Sequence, residues 1–471
     1  MNTHTTTFQQ FPLLGRLQTK ASQDIQSSRL GVGFETLDRN MWDVAPAWKV
    51  VGALGVKWAR VQSGWARTET VAGQYNFEWL DAIIDPLIQR GIQPWLSLSY
   101  GNVLYTDGAG SAGVGNPPIY TEKERQGWKN YVAATVRHYQ GRITHFEIWN
   151  EPDGGGFFLP KPHPKTYVEL VALTATAIRK VLPDAYIIGG AFARAMTPAG
   201  LTFTRDCLEC GMADWIDAVS YHGYKYMPEQ YCSEEFPAYL RLLRQYKPTL
   251  AYWQGETGCP SKVPPGNTQA MAAMQVSEDI QARWLLRRVL AELSYDAQHV
   301  NYFNMGDFSH YMMQGELNYT CHYGLIRMED GTTKPAYDAL QSLATLLHDP
   351  LEIAAGRTSF RLEGGDSGEA ITRAQASSAY QASFIRDNIP VISWWLREPV
   401  ENETIWRSMH FEYWLDAGLH LESPVLIDPQ TQNVYQLKVV QNQYGMNELL
   451  NLPISNTPLI LTDHSLIEVH P

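Results

Sequence analysis

The sequence predicts an α/β fold: a (β/α)8 TIM barrel followed by a C-terminal β-sandwich domain. Three observations carry this. Between roughly residues 30 and 347, short apolar stretches alternate eight times with longer amphipathic ones. After Asp349-Pro350 the alternation stops, and short runs with a period of two take over. Two glutamates, Glu151 and Glu256, close the fourth and seventh apolar stretches. In a parallel barrel, such strand ends gather on one rim.

The strands follow in order. The first is Leu30–Phe34, ending at Glu35, and the second is Val56–Gln62. A helix over 80–90 places Leu80, Ile83, Ile84, Leu87 and Ile88 on one face and stops at Gly91. The third strand is Ile92–Ser99, closing on Tyr100-Gly101-Asn102. Thr121 and Glu124 form a capping box that opens the next helix. The fourth strand is His145-Phe146-Glu147-Ile148-Trp149, cut short by Pro152, which leaves Asn150 and Glu151 at its lip. A helix over 167–181 ends at Pro183, and the fifth strand is Tyr186–Ala191. The sixth leads from Trp215–Ser220 into Tyr221-His222-Gly223-Tyr224. The seventh, Leu250–Trp253, runs into Gln254-Gly255-Glu256-Thr257. A helix over 280–293, the eighth strand Val300–Asn304 and a helix over 336–347 complete the set.

Residues 1–29 form a polar segment, a candidate to pack on the sandwich; the barrel takes 30–348 and the sandwich 349–471. Alternating strands are predicted at 380–385, 391–396, 434–439, 459–461 and 466–469.

A net charge of −12 argues against nucleic acid or an anionic membrane as partner. No basic and apolar leader pattern is visible, and five cysteines in 471 residues fit a reducing compartment, so a cytoplasmic location is expected. No cofactor and no metal are expected. Gly108 to Gly113 match the glycine spacing of a dinucleotide loop but are followed by Val114-Gly115-Asn116-Pro117-Pro118, not a helix. Cys207 and Cys210 lack a second pair at zinc spacing.

The chemistry rests on the two glutamates. Hydrolysis of a glycosidic bond uses one carboxyl to protonate the leaving oxygen and a second to attack the anomeric carbon or to activate water. Their surroundings must differ, since the acid needs a raised pKa and the nucleophile a lowered one. Arg60 and Tyr224 are candidates to hold Glu256 ionised. Asn150 is a candidate partner for a sugar hydroxyl, with His222 and Asn102 as further contacts. Trp65, Trp149 and Trp253 are candidate stacking platforms, and Phe157 and Phe158 candidates to face an extended ligand.

Trp149-Asn150-Glu151-Pro152 with a later strand-end Glu256 resembles glycoside hydrolase clan A. Ala59-Arg60-Val61-Gln62, Ser99-Tyr100-Gly101-Asn102 and Lys334-Pro335-Ala336-Tyr337 resemble family 39 and its relatives. The resemblance implies Glu151 as acid/base and Glu256 as nucleophile. Many members place a Trp beneath the sugar at the end of strand eight. Here that stretch is Asn301 to Phe308 and has none, so Phe303 or Phe308 is expected in its place. The Gln254-Gly255-Glu256-Thr257 setting also departs from the family's xylosidase pattern. The function expected is a retaining β-glycosidase, exo-acting on β-linked oligosaccharides and β-xylosidase-like. The alternatives are an endo-acting hydrolase of a bacterial exopolysaccharide and a non-catalytic carbohydrate-binding barrel.

Overall fold

Eight parallel strands close into the barrel, seen here in a computed structural model of the chain. The structure describes residues 8–110, 113–230, 234–264, 271, 273–312, 316–317, 320–354, 356–366 and 369–471. Strand β1 (Leu13–Leu17) precedes the barrel. The barrel strands are β2 (Leu30–Phe34), β3 (Trp58–Gln62), β4 (Gln93–Leu98), β5 (His145–Ile148), β6 (Tyr186–Phe192), β7 (Ala218–His222), β8 (Ala251–Thr257) and β9 (His299–Tyr302). They pair in chain order, and β9 returns to β2. All eight predicted strands are present, with ends shifted by no more than about three residues. The helices alternate with them as the amphipathic stretches require; Glu78–Gln89 buries Leu80, Ile83, Ile84 and Leu87.

Height in a parallel barrel follows position along the strand. Residues that begin strands lie together at the N-terminal end: Trp58, His145, Tyr186 and His299, joined by Trp95 and Trp253. Their ring centroids are 4.7–5.8 Å apart, mostly edge to face. Trp253 therefore belongs to this aromatic plug and is no sugar platform. Two residues further along the strands come Arg60 and Glu147, and above them the rim.

His299 is buried in the plug, and neither ring nitrogen has a hydrogen-bond partner among the described residues. Burial lowers its pKa to about 3, below the ordinary value of 6.5. The folded state thus binds fewer protons than the unfolded chain between these values. Stability is lost as pH falls below about 6.5, by about 1.4 kcal/mol per pH unit. His299→Phe keeps an aromatic ring and removes the titration. Urea unfolding of both proteins is expected to show wild type losing ~2 kcal/mol more than the variant between about pH 7 and pH 5. Equal losses would mean that His299 accepts its proton in the folded state.

The C-terminal domain is a two-layer antiparallel sandwich. One sheet has eight strands and the other four. Alternation along the larger sheet explains the layering. Val391 and Trp395 pack into the barrel's core, whereas Ile392 and Trp394 face the inner core of the sandwich. In the N-terminal segment, β1 lies between Asn433–Gln436 and Val469–His470 in the eight-stranded sheet. Two predicted strands need correction. The stretch 434–439 is split into Asn433–Gln436 and Val439–Gln441, which belong to different sheets. The stretch 466–469 contributes a 3-10 turn, His464–Leu466, and only the short strand Val469–His470. Among the described residues no helix is long and apolar enough to cross a membrane.

Candidate active site

Glu151 reaches the rim through an unusual backbone. Trp149 and Glu151 have φ of 71° and 49°, in the left-handed region that costs a side chain of order 1 kcal/mol. The neighbours hold them there. The Trp149 amide donates to the Leu98 carbonyl and that of Glu151 to the Ala191 carbonyl, each at 3.1 Å. The Trp149 indole donates to the Phe157 carbonyl at 2.7 Å. Asp153 adds a brace by accepting from the Ala193 and Arg194 amides, both at 2.8 Å. Gly190 lets β6 pass close to β7, since a Cβ there would lie 2.5 Å from the Ser220 carbonyl oxygen. Trp149 is wholly buried, and Phe158 packs edge-on against it in the core. Neither is available to a ligand. Phe157 stacks on Tyr100.

Glu256 is the last residue but one of β8 and is held on three sides. Arg60 Nη1 donates to its Oε2 at 2.7 Å, and the Tyr224 hydroxyl donates to its Oε1 at 2.6 Å. His222 Nδ1 lies 2.9 Å from Glu151 Oε1 and 3.6 Å from Glu256 Oε2. One oxygen from each glutamate and a ring nitrogen of His222 all fall within 4.8 Å of one another. Burial works to raise the pKa of Glu256, but His222, Arg60 and Tyr224 outweigh it and hold the carboxyl below its usual range. Burial likewise works to lower that of His222, and the Glu256 and Glu151 carboxylates reverse it, leaving the imidazole above its ordinary value.

Arg60 is the hub. Wholly buried, it donates from Nε and Nη2 to Glu147 Oε2 at 2.9 and 2.5 Å and from Nη2 to Asn150 Oδ1 at 2.8 Å. Its second Nη1 bond goes to Glu35 Oε2 at 2.5 Å. Ser220 Oγ donates to the other oxygen of Glu147 at 2.5 Å. The guanidinium lies 5.6 Å above the Trp95 ring, at the top of the aromatic plug.

The structure thus gathers Glu151, Glu256, Asn150, Arg60, His222 and Tyr224. Phe303 stands beside them, its ring edge-on to Tyr224 at 6.2 Å, with Phe308 behind it at 5.5 Å. Two expected contacts lie elsewhere. Trp65 follows the left-handed Gly64 into a short helix, is wholly buried, and stacks between Tyr105 and Tyr131. Asn102 gives its amide to the Glu69 and Trp65 carbonyls at 2.8 and 3.4 Å. Both side chains build the wall behind the rim. Glu35, Glu147 and Ser220 were not foreseen as parts of the site. The one signal for Glu147 was a charge in the middle of an apolar strand, where an unpaired carboxylate is costly.

Helix Glu278–Ser294 and the sandwich support the loop that carries Tyr224. Arg287 makes a bidentate pair with Glu229 at 2.6 and 2.7 Å, and the Trp395 indole donates to the same carboxylate at 2.6 Å. Arg288 donates to the Pro228 carbonyl. The accessory domain thereby reaches the active-site rim.

The model for glycosyl hydrolases family 39 matches residues 62–356. A β-xylosidase of Geobacillus stearothermophilus is 25% identical over 157 residues, 32% of this chain and 31% of that protein. One of Caldicellulosiruptor saccharolyticus is 24% identical over 300 residues, 59% of this chain and 58% of that protein. The matched segments therefore span less than two thirds of either relative. A family 39 glycoside hydrolase from the gut symbiont Bacteroides cellulosilyticus WH2 superposes with a TM-score of 0.64 at 19% identity, over 92% of this chain and 80% of that one. A monomeric β-xylosidase from Caulobacter crescentus CB15 gives 0.57 at 14% identity, over 95% and 98%. At these identities the structural likeness is one of fold. The family match covers both glutamates and well over half of the sequence, and the chain belongs to glycosyl hydrolases family 39.

Proposed function

We propose that the protein is a retaining β-glycosidase that removes β-linked sugars from the ends of oligosaccharides, with β-xylosides as the first substrate class. One observation carries the mechanism: an oxygen of Glu151 and one of Glu256 lie within 4.8 Å. Retaining enzymes hold the two carboxyl groups about 5–5.5 Å apart, whereas inverting enzymes leave about 6.5–9.5 Å for a water. The named activity of the two bacterial relatives, β-xylosidase, supports the choice of sugar and of exo action.

In the first step Glu256 attacks the anomeric carbon, the glycosidic C–O bond breaks, and Glu151 gives its proton to the departing oxygen. In the second, Glu151 takes a proton from water, the water oxygen attacks the same carbon, and Glu256 is released as carboxylate. Arg60 holds the Asn150 oxygen, which turns the Asn150 amide nitrogen towards a sugar hydroxyl. Phe303 offers the ring that a tryptophan would otherwise supply.

The test is the anomer first formed from 4-nitrophenyl β-D-xyloside, followed by proton NMR. The β-anomer is expected, and an α-anomer would overturn retention. A 2-deoxy-2-fluoro xyloside is expected to add one sugar to the peptide containing Glu256. If the xyloside is not cleaved while the β-galactoside, arabinoside or glucoside is, the sugar changes and the mechanism stands.

A further inference from the structure

Glu35 has no part in the steps above, yet it lies against them. It follows β2 at the rim end of the barrel and is wholly buried. Its Oε2 and that of Glu256 sit on the same nitrogen, Nη1 of Arg60, at 2.5 and 2.7 Å. Two carboxylates on one nitrogen, one of them wholly buried, do not both stay ionised, so one keeps a proton.

Partners decide which one. Glu256 has the Tyr224 hydroxyl and His222 besides Arg60. Glu35 has Arg60, and its Oε1 faces no donor among the described residues. That oxygen lies over Gly33, where a Cβ would come within 3.0 Å of it and within 2.7 Å of the Asn304 side-chain oxygen. The other charged groups around Arg60 are Glu147, on its far edge, and His222, beyond Glu256.

We propose that Glu35 is a positioning residue of this site, a neutral carboxyl that donates a hydrogen bond to Glu256 and sets how readily Glu256 parts from the sugar. The inference rests on Glu256 being the nucleophile. A protonated Oε2 accepts from Arg60 and donates to Glu256 at once. Burial, opposed by Arg60 and reinforced by Glu256, agrees with this by holding Glu35 well above the usual carboxylate range. A donor on Glu256 stabilises its carboxylate, which is the leaving group of the second step. Removing that donor therefore slows release of the sugar more than its capture.

Glu35→Gln keeps a donor and Glu35→Ala removes it. With 4-nitrophenyl β-D-xyloside, Glu35→Ala is expected to lower kcat about 100-fold and kcat/KM about tenfold, so that KM falls. Glu35→Gln is expected to stay within about fivefold of wild type in both. An equal fall in kcat and kcat/KM, or a glutamine no better than alanine, would overturn the proposal. A second measurement needs no substrate. With glutamate carrying carbon-13 at Cδ, wild type at neutral pH is expected to show a carboxyl at the protonated chemical shift that is missing from Glu35→Gln and retained in Glu151→Gln. If wild type shows no such carboxyl, Glu35 is ionised and the proposal fails, whatever the activity. If the signal is present but every glycoside is inert, the proton on Glu35 stands and the nucleophile assignment fails.

Discussion

Glu256→Gln is expected to lower kcat/KM on an activated aryl glycoside by about 10⁵-fold, and azide will not restore it. An amide oxygen is a far weaker nucleophile than a carboxylate, and the glutamine oxygen still accepts from Arg60 while its nitrogen can donate to the Tyr224 hydroxyl oxygen, so the loss is one of chemistry and not of folding. Glu151→Gln is expected to behave differently. A 2,4-dinitrophenolate leaves without a proton, so capture of the sugar falls little. The second step loses its base and slows by about 10²–10⁴. Azide needs no base, so it is expected to raise kcat of Glu151→Gln and to yield the β-glycosyl azide. The test separates the two glutamates by role. Rescue of Glu256→Gln by azide with a β-azide product would exchange them, and rescue of neither would remove double displacement.

The same two residues mark how far the sequence carries. Glu151 and Glu256 were legible because parallel topology fixes which strand ends share a rim, whatever the loops do. Arg60, Asn150, His222 and Tyr224 were legible for the same reason, each lying within or just past the end of a barrel strand. Trp65 and Asn102 show where this stops. Both follow their strands by three or four residues, and by then the chain has turned: Gly64 adopts φ of 58° and sends Trp65 outward. Trp253 failed in the opposite sense, because an inward side chain three residues before Glu256 lies too deep to reach the rim. Glu147 was hidden within an apolar strand, whose pattern says that a residue is buried but not which charge it meets. Glu35 was visible as a strand end, but its partner lies on β3 and only the closed barrel brings them together. The sandwich was legible as a class. Its sheet assignment was not, since Asn433–Gln436 and Val439–Gln441 read as one run and the switch between sheets leaves no periodicity signal.

Arg60→Met is expected to cost about 3–5 kcal/mol of stability and to lower Tm by on the order of 10 °C. The reason is what remains. The guanidinium donates to Glu35, Glu147, Asn150 and Glu256, all but Glu256 nearly or wholly shut off from water, and methionine supplies no donor. Arg60→Lys restores the charge but not the fork, since one ammonium cannot serve partners on both edges of the guanidinium plane. It is expected to recover part of the Tm while kcat/KM stays about 10³-fold down. Adding Glu147→Gln to Arg60→Met removes a stranded carboxylate and keeps an acceptor for Ser220. Calorimetry is expected to show at least half of the lost stability returning. Activity is not expected to return, because Glu256 and Asn150 still lack the group that aims them. If the double variant regains activity with its stability, Arg60 serves only to hold the barrel together. If stability does not return, the cost of Arg60→Met lies in packing over Trp95 and not in unpaired charge.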